Sequence, residues 1–344
     1  MQQQHLNSER KKGVQHLPLM IKISVAIPAY NSAAYLQEAL DSVLVQTFPA
    51  HEIVVVDDGS TDSTPEIARS YGDKIRYIRQ ENQGSAAARN TAIRAATGEW
   101  IAFLDSDDVM LPEKLQQQAA VLEANPHLDV VYSAFTYLYP DGSTREMPVF
   151  PASELWPAIR YRTPILPSTS IVRRAALLAI EGFNTGPSRR LVEDWDLWFR
   201  LVRHCSAAAF QQQTESLTLY RQLPTSLSKN VVPMTANILH LLDDLLLDGL
   251  AGITRVTWKR RIEARTYYHL ALSLRESKDD RYWGFAIESF LSWPLCGKIV
   301  PAYRYRVLAH MLLHRLQNFR FDLRYWWPAR RGRAALAQAS STTK

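Results

Sequence analysis

Asp105, Asp107 and Asp108 put three carboxylates into four residues, directly behind the apolar stretch Trp100-Ile101-Ala102-Phe103-Leu104. Like charges that close repel unless a cation shares them. Hard divalent cations such as Mg²⁺ and Mn²⁺ take oxygen ligands and commonly bridge one or two protein carboxylates to the phosphates of a nucleotide. A strand ending in Asp-x-Asp therefore points to a site for a metal and a diphosphate. The same residues also fit an acidic turn capping a helix that begins near Pro112. Alone, they do not separate the two readings.

Other polar turns keep them company. Asp57-Asp58-Gly59-Ser60-Thr61-Asp62 follows the apolar run Glu52-Ile53-Val54-Val55-Val56, and Pro28-Ala29-Tyr30-Asn31 closes the run that starts at Ile23. An Asp side chain accepts hydrogen bonds from a pyrimidine N–H or a ribose hydroxyl, so Asp58 and Asp105 are candidate base and sugar contacts. A capped turn accounts equally for Asp58. Arg89 offers a planar donor fork suited to phosphate or a base edge, or it is a solvated helix residue. Glu193-Asp194 is an acidic pair of the kind that favours a helix N-terminus. Neither Gly-x-Gly-x-x-Gly after the first strand nor a P-loop is present, so a bound nucleotide must be held in another way.

The elements that must position these residues follow from periodicity. Ile23 to Asn31 reads as a buried strand running into a turn, and 32–45 has helical spacing at Ala34, Leu36, Leu40, Val43 and Leu44. Strands are expected at 52–56, 74–79 and 100–104, with helices at 64–71 and 84–96 between them. Strands this apolar, alternating with helices, indicate an α/β fold with a mostly parallel sheet flanked by helices. In such sheets ligands collect beyond the carboxyl ends of the strands, where the three polar turns fall.

The blocks Val25-Ala26-Ile27-Pro28-Ala29-Tyr30-Asn31, Ser42 to Thr47, Glu52 to Asp62, Asn82-Gln83-Gly84-Ser85-Ala86-Ala87-Ala88-Arg89-Asn90, Gly98 to Asp108 and Glu193-Asp194-Trp195-Asp196-Leu197-Trp198 occur in a specific order and spacing. In these blocks, over about residues 22 to 228, the chain resembles the family 2 glycosyltransferases with the glycosyltransferase A-type fold. The resemblance implies a nucleotide-diphosphate-sugar transferase sheet in which Pro28, Tyr30 and Asp58 contact the nucleoside and Arg89 faces the nucleotide. Asp105, Ser106 and Asp107 would form the Asp-x-Asp motif, with Asp107 as ligand to Mn²⁺ or Mg²⁺ and Asp194 as catalytic base. Family members often carry Tyr-Arg-x-His after the base; here the stretch is Tyr220-Arg221-Gln222-Leu223, and leucine cannot ligate a cation. The processive signature Gln-x-x-Arg-Trp is absent, which favours addition of one sugar.

One carboxylate base and no carboxylate nucleophile would give direct displacement with inversion. The expected function is transfer of a single sugar from a nucleotide diphosphate donor to a glycan or lipid-linked acceptor, in cell-surface polysaccharide synthesis. Donor and acceptor specificity is expected to depend on side chains between Tyr132 and Arg190. A sugar-phosphate nucleotidyltransferase is the alternative enzyme, although the Gly-rich loop before a lysine that usually opens it is missing. A non-catalytic sugar-nucleotide-binding protein is the other alternative. Nucleic-acid binding finds no recognised module.

Composition sets the remaining bounds. The 344 residues are 47% hydrophobic, enough for a large core, and are expected to divide into a segment 1–21, a catalytic domain 22–230, a helical region 231–330 and a disordered tail 331–344. Two cysteines far apart, Cys205 and Cys296, fit buried thiols in a reducing compartment, so a cytoplasmic location is expected. Arg10-Lys11-Lys12 before Leu17-Pro18-Leu19-Met20-Ile21 imitates a signal peptide, but Lys22 interrupts it. Residues 255 to 344 hold 18 Lys/Arg against 6 Asp/Glu, net +12, whereas 1 to 254 sum to −6. Helical spacing is expected over Ile238–Leu247, Arg260–Leu274, Tyr282–Trp293 and Tyr303–Leu316. Arg304, Arg306, Arg315, Arg320, Arg324, Arg330, Arg331 and Arg333, mixed with Tyr325-Trp326-Trp327, suit the headgroups of an anionic membrane. They equally suit a packed basic lid.

Overall fold

The computed structural model describes residues 21–223 and 230–295, together with Tyr305 and Ala309. The basic and aromatic residues expected at an anionic surface, Arg304 and Arg306 through Arg333 with Trp326 and Trp327, lie outside the described residues. So do Arg10-Lys11-Lys12, Thr225 to Ser228, Cys296, the helix expected over Tyr303–Leu316 apart from two residues, and the tail 331–344.

Four strands open the chain: β1 (Ile23–Ala29), β2 (Glu52–Asp57), β3 (Arg76–Arg79) and β4 (Trp100–Phe103). Between them stand α1 (Leu36–Leu44), α2 (Thr64–Ser70) and α3 (Ser85–Ala95). All pairings among these strands are parallel, with β1 between β2 and β4. β1 is buried at every position because helices cover both of its faces, which is why its sequence is continuously apolar rather than alternating.

Beyond β4 the sheet turns mixed. The later elements are β5 (Val109–Met110), α4 (Lys114–Ala124), β6 (Val130–Leu138), β7 (Thr144–Met147), α5 (Leu155–Ala158), β8 (Ser170–Arg173), α6 (Arg174–Ala179), α7 (Glu193–Cys205) and β9 (Phe210–Arg221). The described strands form one sheet in the order β3-β2-β1-β4-β8-β6-β9-β5, with β7 paired to β6. β8 runs antiparallel to both β4 and β6, while β6 and β9 are parallel with two irregularities in register. The expected parallel arrangement thus describes the first four strands, and the second half adds antiparallel ones.

Some boundaries shift for local reasons. The helix expected from residue 32 starts only at Leu36, because the Ser32 amide donates to Thr64 Oγ1 at 2.7 Å and the Ala33 amide to Asp62 Oδ2 at 3.1 Å. Those bonds tie the end of β1 to the loop after β2. Gly98 must be glycine: a Cβ there would lie 2.5 Å from Ser24 Oγ and 2.8 Å from the Lys22 carbonyl. This close approach is what lets the turn before β4 run alongside β1.

The C-terminal helices share the core of the sheet. α8 (Val231–Leu241) runs into a π-helical turn, Leu242–Leu246, and is followed by α9 (Gly252–Glu276) and α10 (Tyr282–Ser292). Ala236, Leu241, Leu242 and Leu246 are buried in the same cluster as Trp198 of α7 and Phe103 of β4. Packing is therefore continuous across residue 230. No helix among the described residues is long and apolar enough to cross a membrane.

Candidate active site

The site begins with the turn after β2. Asp57 is fully buried and accepts from the Ser60 amide at 2.8 Å and from the Tyr77 hydroxyl at 2.6 Å, so it fixes the turn rather than facing a ligand. Asn31 spans to the same turn, its amide donating to Ser60 Oγ at 2.9 Å and its Oδ1 accepting from the Thr61 amide at 2.8 Å. Asp58 Oδ1 accepts from Gln80 Nε2 at 2.7 Å and the Gln83 amide at 2.9 Å, and its Oδ2 from the Gly84 amide at 2.7 Å. A carboxylate has about four acceptor sites. Asp58 thus organises the loop leading into α3 and keeps little capacity for a base. Pro28 is buried within β1, whereas Tyr30 is 50% exposed, an aromatic face open to solvent at the mouth of the same turn.

The turn after β4 carries the carboxylates. Ser106 is buried against Ser32, with the two hydroxyls 2.7 Å apart, which pins this turn to the end of β1. Asp105 Oδ1 accepts from Arg89 Nη2 at 2.5 Å, and its amide donates to Ser168 Oγ at 3.0 Å. Arg89, buried and stacked over the Phe183 ring, also lies 3.9 Å from Glu193 Oε1. It therefore links the β4 turn to the start of α7, rather than standing free for a phosphate.

Asp107 differs from its neighbours. Among the described residues no side chain is hydrogen-bonded to its carboxylate, and burial followed by the Asp105 charge pushes it up to about 6. Its backbone carbonyl accepts from Arg221 Nε at 2.9 Å. Asp108 is turned inward: Oδ1 accepts from the Arg221 amide at 3.0 Å and Oδ2 is buried with no partner. Burial, reinforced by Asp105 and Asp107, raises it well above the carboxylate range. Beneath lies Lys114 of α4, fully buried, donating to the Ser168 carbonyl and to Thr218 Oγ1 at 3.2 Å. Burial brings this ammonium down to about 7 against the opposing pull of Asp108.

At the start of α7 three carboxylates have three different environments. Glu193 Oε1 accepts from Ser85 Oγ at 2.6 Å beside Arg89, and Asp196 is buried between Arg189 at 2.9 Å and Arg200 at 2.5 Å. Asp194 has no ion pair and accepts only from the Trp195 amide at 2.8 Å. Its side chain is partly exposed, yet the protein crowding it and the Glu193 charge push it up to about 7, with Arg89 opposing. A carboxylate poised there is suited to taking a proton near neutral pH. The turn presenting it is strained: Leu191 sits at φ +67, a region costly for a side chain of its size. Asn237 Nδ2 of α8 holds the preceding Arg190 carbonyl at 2.7 Å.

The structure thus brings Asp105, Ser106, Asp107, Arg89 and the start of α7 together, with Pro28 on neighbouring β1 and Tyr30 and Asp58 in the turns that follow β1 and β2. Sequence reasoning missed Lys114, Ser168 and Thr218. The signal for Lys114 is its place in a buried helical row with Gln118 and Leu122. Among the described residues no three His, Cys, Asp or Glu side chains form a metal cage by themselves. Asp107, unbonded beside Asp105 and over the unpaired Asp108 oxygen, nonetheless fits a hard cation whose remaining ligands come from phosphate and water.

Residues 24–179 match the model of the family described as Glycosyl transferase family 2. An uncharacterized glycosyltransferase of Rickettsia felis is 36% identical over 192 residues, covering 53% of this chain and 31% of its own length. The putative glycosyltransferase EpsE of Bacillus subtilis is 32% identical over 184 residues, covering 52% of this chain and 66% of its own. The chain spans 31% of the Rickettsia felis relative and 58% of an uncharacterized glycosyltransferase of Rickettsia typhi. Among solved structures, S. aureus TarS 1-349 in complex with UDP superposes with a TM-score of 0.57 at 22% identity over 92% of both chains. The mannosyltransferase PcManGT of Pyrobaculum calidifontis, in complex with GDP-Man and Mn2+, gives 0.54 at 19% identity over 94% and 88%. At these identities the likeness to the solved structures is one of fold.

Proposed function

From the premise that residues 24–179 belong to the family 2 glycosyltransferases, we propose that the chain is an inverting glycosyltransferase adding single sugars from a nucleotide diphosphate donor to a glycan or lipid-linked acceptor. Residues 22–230 would form the catalytic domain and 231–330 a helical companion; polysaccharide synthesis in the cytoplasm is the setting this reading fits. The observation that carries it is the pairing of two carboxylates left without a cation, Asp107 and Asp194, on elements that Arg89 ties together.

Tyr30 is available to stack on the base, and Asp58 shapes the loop beneath the ribose and diphosphate. Asp107, with Asp105 alongside, would hold Mn²⁺ or Mg²⁺, which would supply charge neutralisation for the departing diphosphate. Asp194 accepts the proton of the acceptor hydroxyl as its oxygen bonds to the anomeric carbon on the face opposite the leaving group, which inverts that centre. Glu193 is held by Ser85 and Arg89, and so positions Arg89 rather than sharing the base role.

A screen of UDP- and GDP-sugars with Mn²⁺ tests the reaction class, and its pH profile tests the base. Asp194 must be ionised to act, so kcat/KM rises with pH through about 7. At pH 5.5 it falls to about one thirtieth of the plateau from Asp194 alone, the ionised fraction of a group titrating near 7, and lower still because Asp107, pushed up to about 6, is then also largely protonated. A rate that is flat between pH 5.5 and 8 would remove Asp194 from the role.

Peripheral contact with an anionic membrane rests on the net +12 of residues 255–344. Cosedimentation with vesicles rich in phosphatidylserine is expected at about 0.05 M salt and should be lost by about 0.5 M, as screening shortens the reach of exposed charge. Equal recovery with neutral and anionic vesicles at low salt would refute it.

A further inference from the structure

The sheet order gives the site two sides. β3, β2 and β1 lie on one side of β4 and carry the nucleoside candidates, while β8, β6 and β9 lie on the other. On that second side Phe135, Tyr137 and Tyr139 alternate along β6 and its end, and Tyr220 of β9 is the direct register partner of Tyr137. Tyr137 meets Phe135 at 5.1 Å and Tyr220 at 5.9 Å edge-on and lies tilted to Tyr139 at 6.0 Å, and Phe135 meets Tyr220 edge-on at 5.9 Å. All four side chains are partly exposed.

This cluster is anchored to the carboxylate turn. The residue after Tyr220, Arg221, donates to the Asp107 carbonyl and the Asp108 carboxylate, and the residue before it, Leu219, pairs with Val109. Tyr220 is thereby fixed between two residues that are bonded to, or paired beside, the carboxylate turn. Aromatic rings have electron-rich faces that attract partly positive C–H groups, and one face of a pyranose presents a row of such hydrogens. A tyrosine adds a hydroxyl for the sugar's polar rim.

We propose that Phe135, Tyr137, Tyr139 and Tyr220 form the acceptor subsite and that its ligand is a sugar ring, stacked beside the Asp105–Asp108 turn. The assignment rests on the transferase reading and narrows it: the acceptor is a saccharide rather than a bare lipid phosphate. Tyr137 is its central ring, touching the other three.

The test is saturation-transfer NMR on the full chain with Mg²⁺ and UDP or GDP, irradiating protein aromatic protons in the presence of methyl glycosides of glucose, galactose, mannose and N-acetylglucosamine. At least one glycoside should receive saturation at its ring C–H protons. Tyr137→Ala should weaken its binding tenfold or more, Tyr137→Phe should keep it within threefold, and nucleotide affinity by calorimetry should stay within threefold in both. If Tyr137→Ala does not fold by thermal melting, Tyr139→Ala, at the outer end of the cluster, gives the same reading. The proposal is overturned if a wild type that binds nucleotide binds none of the glycosides, or if both alanine variants bind them as well as wild type does. It is also overturned if Tyr137→Phe fails as badly as Tyr137→Ala. A wild type that binds neither UDP nor GDP would instead remove the transferase reading itself.

Discussion

Asp194→Asn should lower sugar transfer by about two to four orders of magnitude while leaving affinity for the nucleotide diphosphate within about threefold. The amide keeps the shape of the side chain and its bond from the Trp195 amide but cannot accept a proton from the acceptor hydroxyl. Glu193 cannot take over, because its Oε1 is occupied by Ser85 beside Arg89 and its Oε2 is buried away from solvent. The variant should also fold at least as well as wild type. A carboxylate whose pKa is raised by folding opposes the folded state once ionised, so its cost is present above about pH 7 and absent where it is protonated. Melting at pH 8 should therefore be unchanged or higher. Transfer within tenfold of wild type, about 1.4 kcal/mol of barrier, would place the base elsewhere.

Asp107→Ala should abolish the part of nucleotide affinity that depends on Mn²⁺, a loss of about a hundredfold or more at saturating metal, and leave the metal-independent part in place. Neither neighbour can substitute for it. Asp105 is drawn into its ion pair with Arg89, and Asp108 points inward to the Arg221 amide. Removing one of three crowded carboxylates relieves repulsion, so a loss of binding is not expected to reflect unfolding. Calorimetric titration of UDP and GDP with and without Mn²⁺ separates the two contributions. Metal-dependent affinity equal to wild type would show that Asp107 is not the ligand.

Much of this was legible in the chain because it is written locally. The runs Ile23 to Ala29 and Glu52 to Val56 are apolar at every position, a pattern that only strands covered on both faces require, and the polar turns following β1, β2 and β4 mark the ends where ligands collect. Asp105-Ser106-Asp107 and Glu193-Asp194 stood out in the sequence as a candidate metal motif and a candidate base, and their spacing and resemblance carried them that far. Their division of labour was not legible there. Glu193, Asp194 and Asp196 look alike in sequence, and only the placement of Ser85, Arg89, Arg189 and Arg200 around them decides which two are paired and which is left without an ion pair. That Asp58 also holds three N–H donors of the β3 to α3 loop on its carboxylate is a placement only the fold supplies. Lys114 went unnoticed in the sequence, and only the fold buries it within the field of Asp108. The antiparallel second half of the sheet was hidden too, because β6, β8 and β9 pair across as many as about eighty residues of intervening chain. Periodicity records which face of an element is buried, whereas the partner on that face, and hence the charge state of a carboxylate, is set by contacts between residues remote in sequence.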